Sequence, residues 1–376
     1  MTPPPTVAIM TIGRTVPQRV EIRKDLIRLY LWPKADNLYP VKVCVVYLDR
    51  ADLLTRSMPS LVPPSASDWP VWQKPSFVTD LGRAMGATAL HWGQPGSTGE
   101  ISVPAFWQDL ILLEHCPRSQ YDALRETISK AGGVPGNIAC LALRGQGFHG
   151  QHARRWAVEA GNLHLSMAIA CDLPVEKFAP VMPALPAMAV VDAIAALGQG
   201  QLLPGIKWVN DVLLHGKKVA GSLTALRTER GRITAVILGV GLNVATAPQL
   251  LHNSLAAEPR ALATTSLRAE LFTGTPTLTQ VLMAMLTAVS KRFNQLVELG
   301  PDALLADYRR SSLVMERQVT IWSDAGDAFD GGQARPLIRG EVVGIGPDLS
   351  LVLAGRSEPV TSGRVELPPP TDSRTL

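Results

Sequence analysis

At 376 residues, with 46% apolar and 18% charged side chains, the chain has the composition of a globular protein of two or three domains, not of a fibrous or disordered one. A net charge of +4 suits anionic small ligands such as nucleotides, but it is too mild to argue for a nucleic-acid surface without a clustered stripe of basic residues. The four cysteines, Cys44, Cys116, Cys140 and Cys171, lie far apart and form no CxxC or Cys/His pair, which argues against a disulfide framework and a zinc site.

The N-terminus, "MTPPPTVAIMTIGR", has no charged segment followed by a long apolar run, so no secretory signal is expected and the cytoplasm is the expected compartment. "VKVCVVYL" reads as a buried strand. Residues 57–75, "SMPSLVPPSASDWPVWQKP", are too rich in proline and serine for a long helix or a central strand and mark a linker. No helix-turn-helix pattern is visible before or after it, so no nucleic acid is expected as a partner. Residues 1–104 are therefore set apart as an N-terminal region without recognisable chemistry.

From residue 105 to 312 the pattern sharpens. "SQYDALRETISKAGG" predicts a helix closed by glycines, and "NIACLAL" and "NLHLSMAIA" predict strands. "PVMPALPAMAVVDAIAALG" is the most membrane-like stretch. Pro183, Pro186 and Asp192 interrupt it, and it reads as a buried core helix with no membrane partner. Short strands are expected at 206–209, 211–214 and 218–226 and over "ITAVILGVGLNV", then two helices over "TLTQVLMAMLTAVSKRFNQLVELG" and "PDALLADYRR". Strands and helices mix without a regular βαβ rhythm, which predicts an α/β (α+β) mixed sheet with helices on one face. Residues 313–368 change character: "QVTIW", "IRGEVVGIG", "LSLVLAG" and "PVTSGRVEL" are short strands between turn residues, as in a small β-barrel. Residues 369–376 read as a frayed tail.

The chemistry concentrates in "GIKWVNDVLLHGKKVAG", residues 205–221. Charged and amide side chains interleaved with strand residues suggest a lined pocket, because a buried charge is costly unless paired or at work. A hairpin around "LLHG" would set Asp211 and Lys218 on facing strands. In "GVGLNV", Gly239, Gly241 and Asn243 leave room for close approach of a ligand. Taken singly, each has a plain structural reading: a bulge for the glycines, a solvated hairpin for the lysine.

Together, "KWVNDVLLHGKKVAG" and "GVGLNV" resemble the signature of biotin protein ligases, Lys-Trp-Pro-Asn-Asp, then Gly-Lys-Lys-Leu-Ala-Gly, then Gly-Ile-Gly-Leu-Asn. Upstream, "CLALRGQGFHGQHARRWAVEAGNLHLSM" is similar to the family's adenylate-binding strand and loop. Gln146 falls on the family's glutamine and Gly150 on its second loop glycine, and Arg154, Trp156, Gly161, Asn162 and Leu163 match. The C-terminal strands resemble the family's SH3-like barrel. The resemblance runs from about residue 110 to 367 and implies a class II synthetase-like catalytic domain.

The chain departs from the family in the loop, where Phe148, His149, Gln151, His152 and Ala153 replace two glycines and three arginines. Arginine offers bidentate phosphate contacts that glutamine cannot. "CPRSQYD" stands where the family has Ser-Thr-Asn, and Val209 replaces a proline.

The resemblance implies activation of biotin by ATP to biotinyl-AMP and transfer to a lysine of a biotin carboxyl carrier protein domain. It implies that Lys218 stabilises charge during adenylation, that Lys207 supports the adenylate, and that Asn210 and Asp211 orient nucleotide and Mg2+, with Asp211 assisting the incoming amine. Gln146 and Gly150 would touch biotin, Trp156 would pack under the loop, and Gln151, Arg154, Asn162, Gly221, Gly241 and Asn243 would complete the binding residues. Two alternatives stay open at the level of sequence: a lipoate or octanoate ligase or octanoyl transferase on the same fold, with His149 near the acyl group, and a catalytically weak acyl-binding regulatory relative. A homodimer is compatible with all three.

Overall fold

The computed structural model describes residues 38–47, 94–113, 115–131, 136–248, 262–271, 274–322 and 336–368. The proline-rich stretch at 57–75 and the tail at 369–376 lie outside them. Nine strands form one mixed sheet: β1 (Leu38–Tyr47), β2 (Gln94–Pro104), β3 (Asp109–Leu113), β4 (Ile138–Ala142), β5 (Leu163–Pro174), β6 (Gly205–Lys207), β7 (Asp211–Leu214), β8 (Lys217–Glu229) and β9 (Arg232–Leu242). Their order across the sheet is β2-β1-β3-β4-β5-β9-β8-β7-β6. The β1-β3-β4 pairings are parallel and the others antiparallel. The sheet thus takes backbone from both sides of residue 104.

The central strands read as continuous apolar runs because both faces of the sheet are covered. Leu110, Leu112, Ala139, Leu141, Leu163, Leu165 and Met167 belong to one core, Ile111, Leu113, Ile138, Cys140 and Ala168 to a second. Alternation along a strand puts these two sets on opposite faces. The first face carries α2 (Ala184–Leu197), α3 (Leu278–Leu299) and α4 (Pro301–Ser311), so the expected layer of helices on one face is there. Helix α1 (Gln120–Ala131) sits on the second face, through Tyr121, Ala123, Leu124 and Ile128, and leaves part of that face free to line a cleft.

Helix α2 is buried along most of its length, from Ala184 to Val190 and at Ala193 and Ile194, which explains its membrane-like composition. It begins two residues before Pro186, whose missing N–H costs nothing in a first turn. Among the described residues no single helix is long and apolar enough to cross a membrane, although the bent pair Val175–Val181 and Ala184–Leu197 passes by length and composition alone. Thr277 and Gln280 form a capping box at the start of α3. At its end Gly300, at φ 84°, reverses the chain in a conformation other residues adopt at a cost, and Pro301 opens α4.

Four further strands, β10 (Gln318–Trp322), β11 (Pro336–Ile345), β12 (Leu351–Leu353) and β13 (Arg364–Glu366), form a separate antiparallel sheet in the order β12-β11-β10-β13, where the small barrel was expected. It docks beside β6. Trp208 Nε1 donates to Leu349 O at 2.6 Å, Arg309 Nε to Ile345 O at 2.9 Å, and Leu313 N to Ile206 O at 2.8 Å.

Candidate functional site

Strand register builds the site. Across the second face, His164 on β5 pairs with Gly241 on β9, Gly241 with Gly221 on β8, Gly221 with Asp211 on β7, and Asp211 with Lys207 on β6. Residues in register stand side by side about 5 Å apart. The row therefore runs from a buried imidazole, over two positions without side chains, to a carboxylate and a buried ammonium.

The glycines are filled from above. A Cβ on Gly241 would collide with the Trp156 indole, and one on Gly221 would lie 3.4 Å from the same ring and 3.3 Å from Lys218 Nζ. Trp156 Nε1 donates to His164 Nδ1 at 3.3 Å, which leaves His164 Nε2 to donate to Glu159 O at 3.4 Å. Burial pushes the His164 imidazole down to about 4, against a smaller upward pull from that carbonyl, so the ring is neutral at pH 7 and serves as an acceptor for the indole.

The charged end of the row is compact. Lys218 Nζ lies 2.6 Å from Asp211 Oδ1, and Lys207 Nζ lies 3.8 Å from Asp211 Oδ2. Burial alone would raise the Asp211 carboxyl, but Lys218 and Lys207 outweigh it, with help from Arg154, and hold it below the ordinary carboxylate value. Lys207 moves down because burial and the charge of Lys218 together exceed the attraction of Asp211. Lys218 also stands over the Trp156 ring, 5.6 Å from its centroid, so its ammonium faces the cleft floor from the carboxylate side. Asn210 Nδ2 donates to Ser222 O, which fixes the β6–β7 turn to β8. Tyr308 OH, at 2.9 Å, holds Val209 O in that turn, and the peptide between Trp208 and Val209 is cis.

The loop over the cleft is pinned by aromatic rings. The Phe148 ring packs on Gly145, where a Cβ would lie 2.7 Å from it, and stands edge-on to His164 with centroids 5.6 Å apart. Trp156 N donates to Phe148 O at 2.9 Å, and His149 bridges from the loop to Asp122 on α1.

Of the residues singled out from the sequence, Gly150, Gln151, Arg154, Trp156, Asn210, Asp211, Lys218, Gly221 and Gly241 line one cleft. Lys207 lies behind Asp211, buried and within reach of its carboxylate. Three others lie elsewhere. Gln146 is exposed at the loop entry, outside the cleft lining. Asn162 is fully buried, and its Oδ1 accepts the N–H groups of Val244, Ala245 and Thr246 at 2.9 to 3.2 Å. Asn243 Nδ2 donates to Thr265 O at 3.0 Å. Both amides hold the backbone after β9 instead of facing a ligand.

The cleft also takes in Ser119, Gln120 and Tyr121 at the start of α1, part of the segment that stands where the family has Ser-Thr-Asn, and His164 and Ser166 on β5, which were not among the expected site residues. The signal for the last two was present. In "NLHLSM" the polar residues alternate with leucines on a strand whose other face is core, so they had to share the opposite face. The donor set fits magnesium only as an ion carried in with phosphate. Asp211 and Asn210 offer oxygens, but no group of three or more His, Cys, Asp or Glu among the described residues could hold a metal alone.

Comparison with known proteins gives a consistent picture. Residues 119–243 match the pattern of the Biotin/lipoate A/B protein ligase family. The biotin-acetyl-CoA-carboxylase ligase of Mycobacterium tuberculosis is 30% identical over 274 residues, 70% of this chain and 91% of the relative. The bifunctional ligase/repressor BirA of Bacillus spizizenii is 40% identical over 96 residues, 25% of this chain and 29% of the relative. The BirA of Bacillus subtilis is 36% identical over 161 residues, 41% and 48%. The two Bacillus matches thus span less than half of those proteins. In structure, the biotin protein ligase from Aquifex aeolicus in complex with biotin and ATP is similar in fold, with a TM-score of 0.50 at 19% identity over 70% of this chain and 99% of that one.

Proposed function

The chain belongs to the biotin protein ligase family, and on that premise we propose that it activates biotin with ATP to biotinyl-AMP and transfers it to a lysine of a biotin carboxyl carrier protein. The observation that carries this is the in-register row from His164 to Lys207, with a glycine floor, an indole over it and two lysines sharing one carboxylate at its end.

In the first half-reaction an oxygen of the biotin carboxylate attacks the α-phosphorus of ATP, and pyrophosphate leaves. Negative charge grows on the phosphoryl oxygens, and Lys218, tethered by Asp211 at the rim of the floor, neutralises it without having to reorganise. Lys207 is buried behind Asp211 and supports the same field. Bound magnesium would screen the phosphates, held through Asp211 and Asn210. In the second half-reaction the carrier amine attacks the acyl carbon and AMP leaves. A carboxylate held below its ordinary pKa is a weak base, so Asp211 chiefly orients the two lysines and the arriving amine. The apolar and aromatic walls from Phe148 and Trp156 suit the biotin tail, and Gly150, Gln151 and Arg154 form the lip over it. In this reading residues 105–312 supply the chemistry and residues 313–368 brace it.

The test is ATP/pyrophosphate exchange with biotin, lipoate or octanoate supplied separately. Exchange with biotin alone, reduced at least about a hundredfold in Lys218→Ala, is expected from losing a charged group that binds the transition state. Exchange with only lipoate or octanoate would overturn the choice of acid, and exchange undiminished in the variant would overturn the role of Lys218.

A further inference from the structure

His149 occupies a loop position where the family carries arginine. Its ring is three-quarters buried, with 26% of the side chain exposed, and it meets two oxygens. Nε2 lies 2.8 Å from Asp122 Oδ2 on α1, and Nδ1 lies 3.0 Å from the carbonyl of Gly150 in the loop. A carboxylate and a carbonyl can only accept, whereas a neutral imidazole has one N–H to give. Only the imidazolium satisfies both contacts.

We propose that His149 is a positioning residue that, as an imidazolium clasped between Asp122 and the Gly150 carbonyl, holds the loop 148–156 over the cleft and so retains the acyl-adenylate until the carrier arrives. The clasp replaces a permanent arginine charge with one that depends on pH, and its functional arm rests on the ligase reading above.

The surroundings agree. From α1, Asp122 faces the ring, and its other oxygen lies 3.5 Å from Arg125 Nη1. Tyr121 presents its ring edge at 6.4 Å, and its hydroxyl, pushed up to about 12 chiefly by burial, is neutral. From the loop, Arg155 pairs with His149 through the backbone. The Gly150 carbonyl raises the imidazole above its ordinary value, burial opposes this, Asp122 adds to the rise, and Arg125 subtracts from it. With a raised folded value, the clasp is complete below the ordinary histidine pKa and is lost as pH rises through the folded one.

The experiment measures release of biotinyl-AMP, preformed on the enzyme from biotin and ATP, as a function of pH. In the unmodified protein release should quicken by about tenfold as pH rises through the His149 titration, the scale of one charge-assisted hydrogen bond. His149→Gln should release fast at every pH, and His149→Arg slowly at every pH. Asp122→Asn should shift the wild-type profile to lower pH. A wild-type profile without the pH step, or an unaltered profile in His149→Gln, would overturn the clasp. NMR titration of the His149 ring in the ligand-free protein supplies a readout independent of the ligase activity. A ring pKa at or below the ordinary value would refute the imidazolium even if no adenylate forms. A raised pKa with no adenylate would place the failure in the ligase reading instead.

Discussion

At the scale of single residues, the site is governed by one carboxylate shared between two lysines. Asp211 is 18% exposed and Lys207 only 10%, so neither ion is well hydrated and each depends on the other. Asp211→Asn is isosteric but leaves Lys207 buried opposite a neutral amide, and breaking a buried pair in this way costs about 3 kcal/mol. Because the folded Asp211 pKa is lowered, its contribution is complete above the ordinary carboxylate value and fades as pH falls through the folded one. Urea unfolding at several pH values should therefore show a constant gap between the two proteins near pH 7 that closes in acid. A gap independent of pH would mean that Asp211 is not the ionised partner. Asp211 and Lys218 were legible in the sequence because a tight hairpin puts them on adjacent strands, although in register Asp211 stands opposite Gly221 and Lys218 opposite Leu213, so that the two side chains meet on the diagonal. The destinations of Asn162 and Asn243 were not. An asparagine in a loop serves a ligand or its own backbone with the same two atoms, and only the N–H groups of residues 244–246 gathered around Asn162 Oδ1 decide between them.

At the scale of elements, strand periodicity determined which residues could meet, and the glycines of β8 and β9 show how. Gly241 and Gly221 are neighbours on adjacent strands, and together they make a slot one indole wide. Gly241→Ala should force Trp156 off the floor and break its bond to His164, a cost of about 1–3 kcal/mol for overpacking. Its signature should be a raised KM for biotin in the exchange assay together with a lower Tm. An unchanged KM would show that the indole does not shape the acyl slot. Most strands of the large sheet were readable from their apolar runs, but β2, "QPGSTGEISVP", has no such run, and neither it nor β3 was expected. The β6 strand ended earlier than expected, at Lys207, because Trp208, Val209 and Asn210 turn the chain and spend their polar groups on Leu349, Tyr308 and Ser222. The side of the sheet on which α1 packs was beyond sequence patterning, since an amphipathic helix fits either face of a sheet buried on both.

At the scale of the whole molecule, the charged turn hangs between two bodies of structure. On one side it continues into β7 and the nine-stranded sheet. On the other, the Trp208 indole, 8% exposed, reaches out of the turn to the carbonyl of Leu349 between β11 and β12, while Arg309, next to the tyrosine that holds Val209, reaches the carbonyl of Ile345. The Trp208 anchor crosses to the small sheet from between Lys207 and Asp211, and the Arg309 anchor crosses from α4 beside the tyrosine that holds Val209, so docking of that sheet and placement of the charges are mechanically linked. Trp208→Phe keeps most of the buried ring area but deletes the bond to Leu349 and leaves a buried carbonyl unpaired, a loss of about 1–3 kcal/mol. If the small sheet braces the turn, kcat for pyrophosphate exchange should fall severalfold while KM for biotin, set by the glycine floor and the Trp156 indole over it, stays the same. A fall in stability with kcat untouched would instead make Trp208 a fastener between two bodies whose separate positions do not matter to the chemistry. The contacts favour coupling, because of the three ties that hold this turn the one from Trp208 alone reaches the small sheet, while those at Val209 and Asn210 run to α4 and β8.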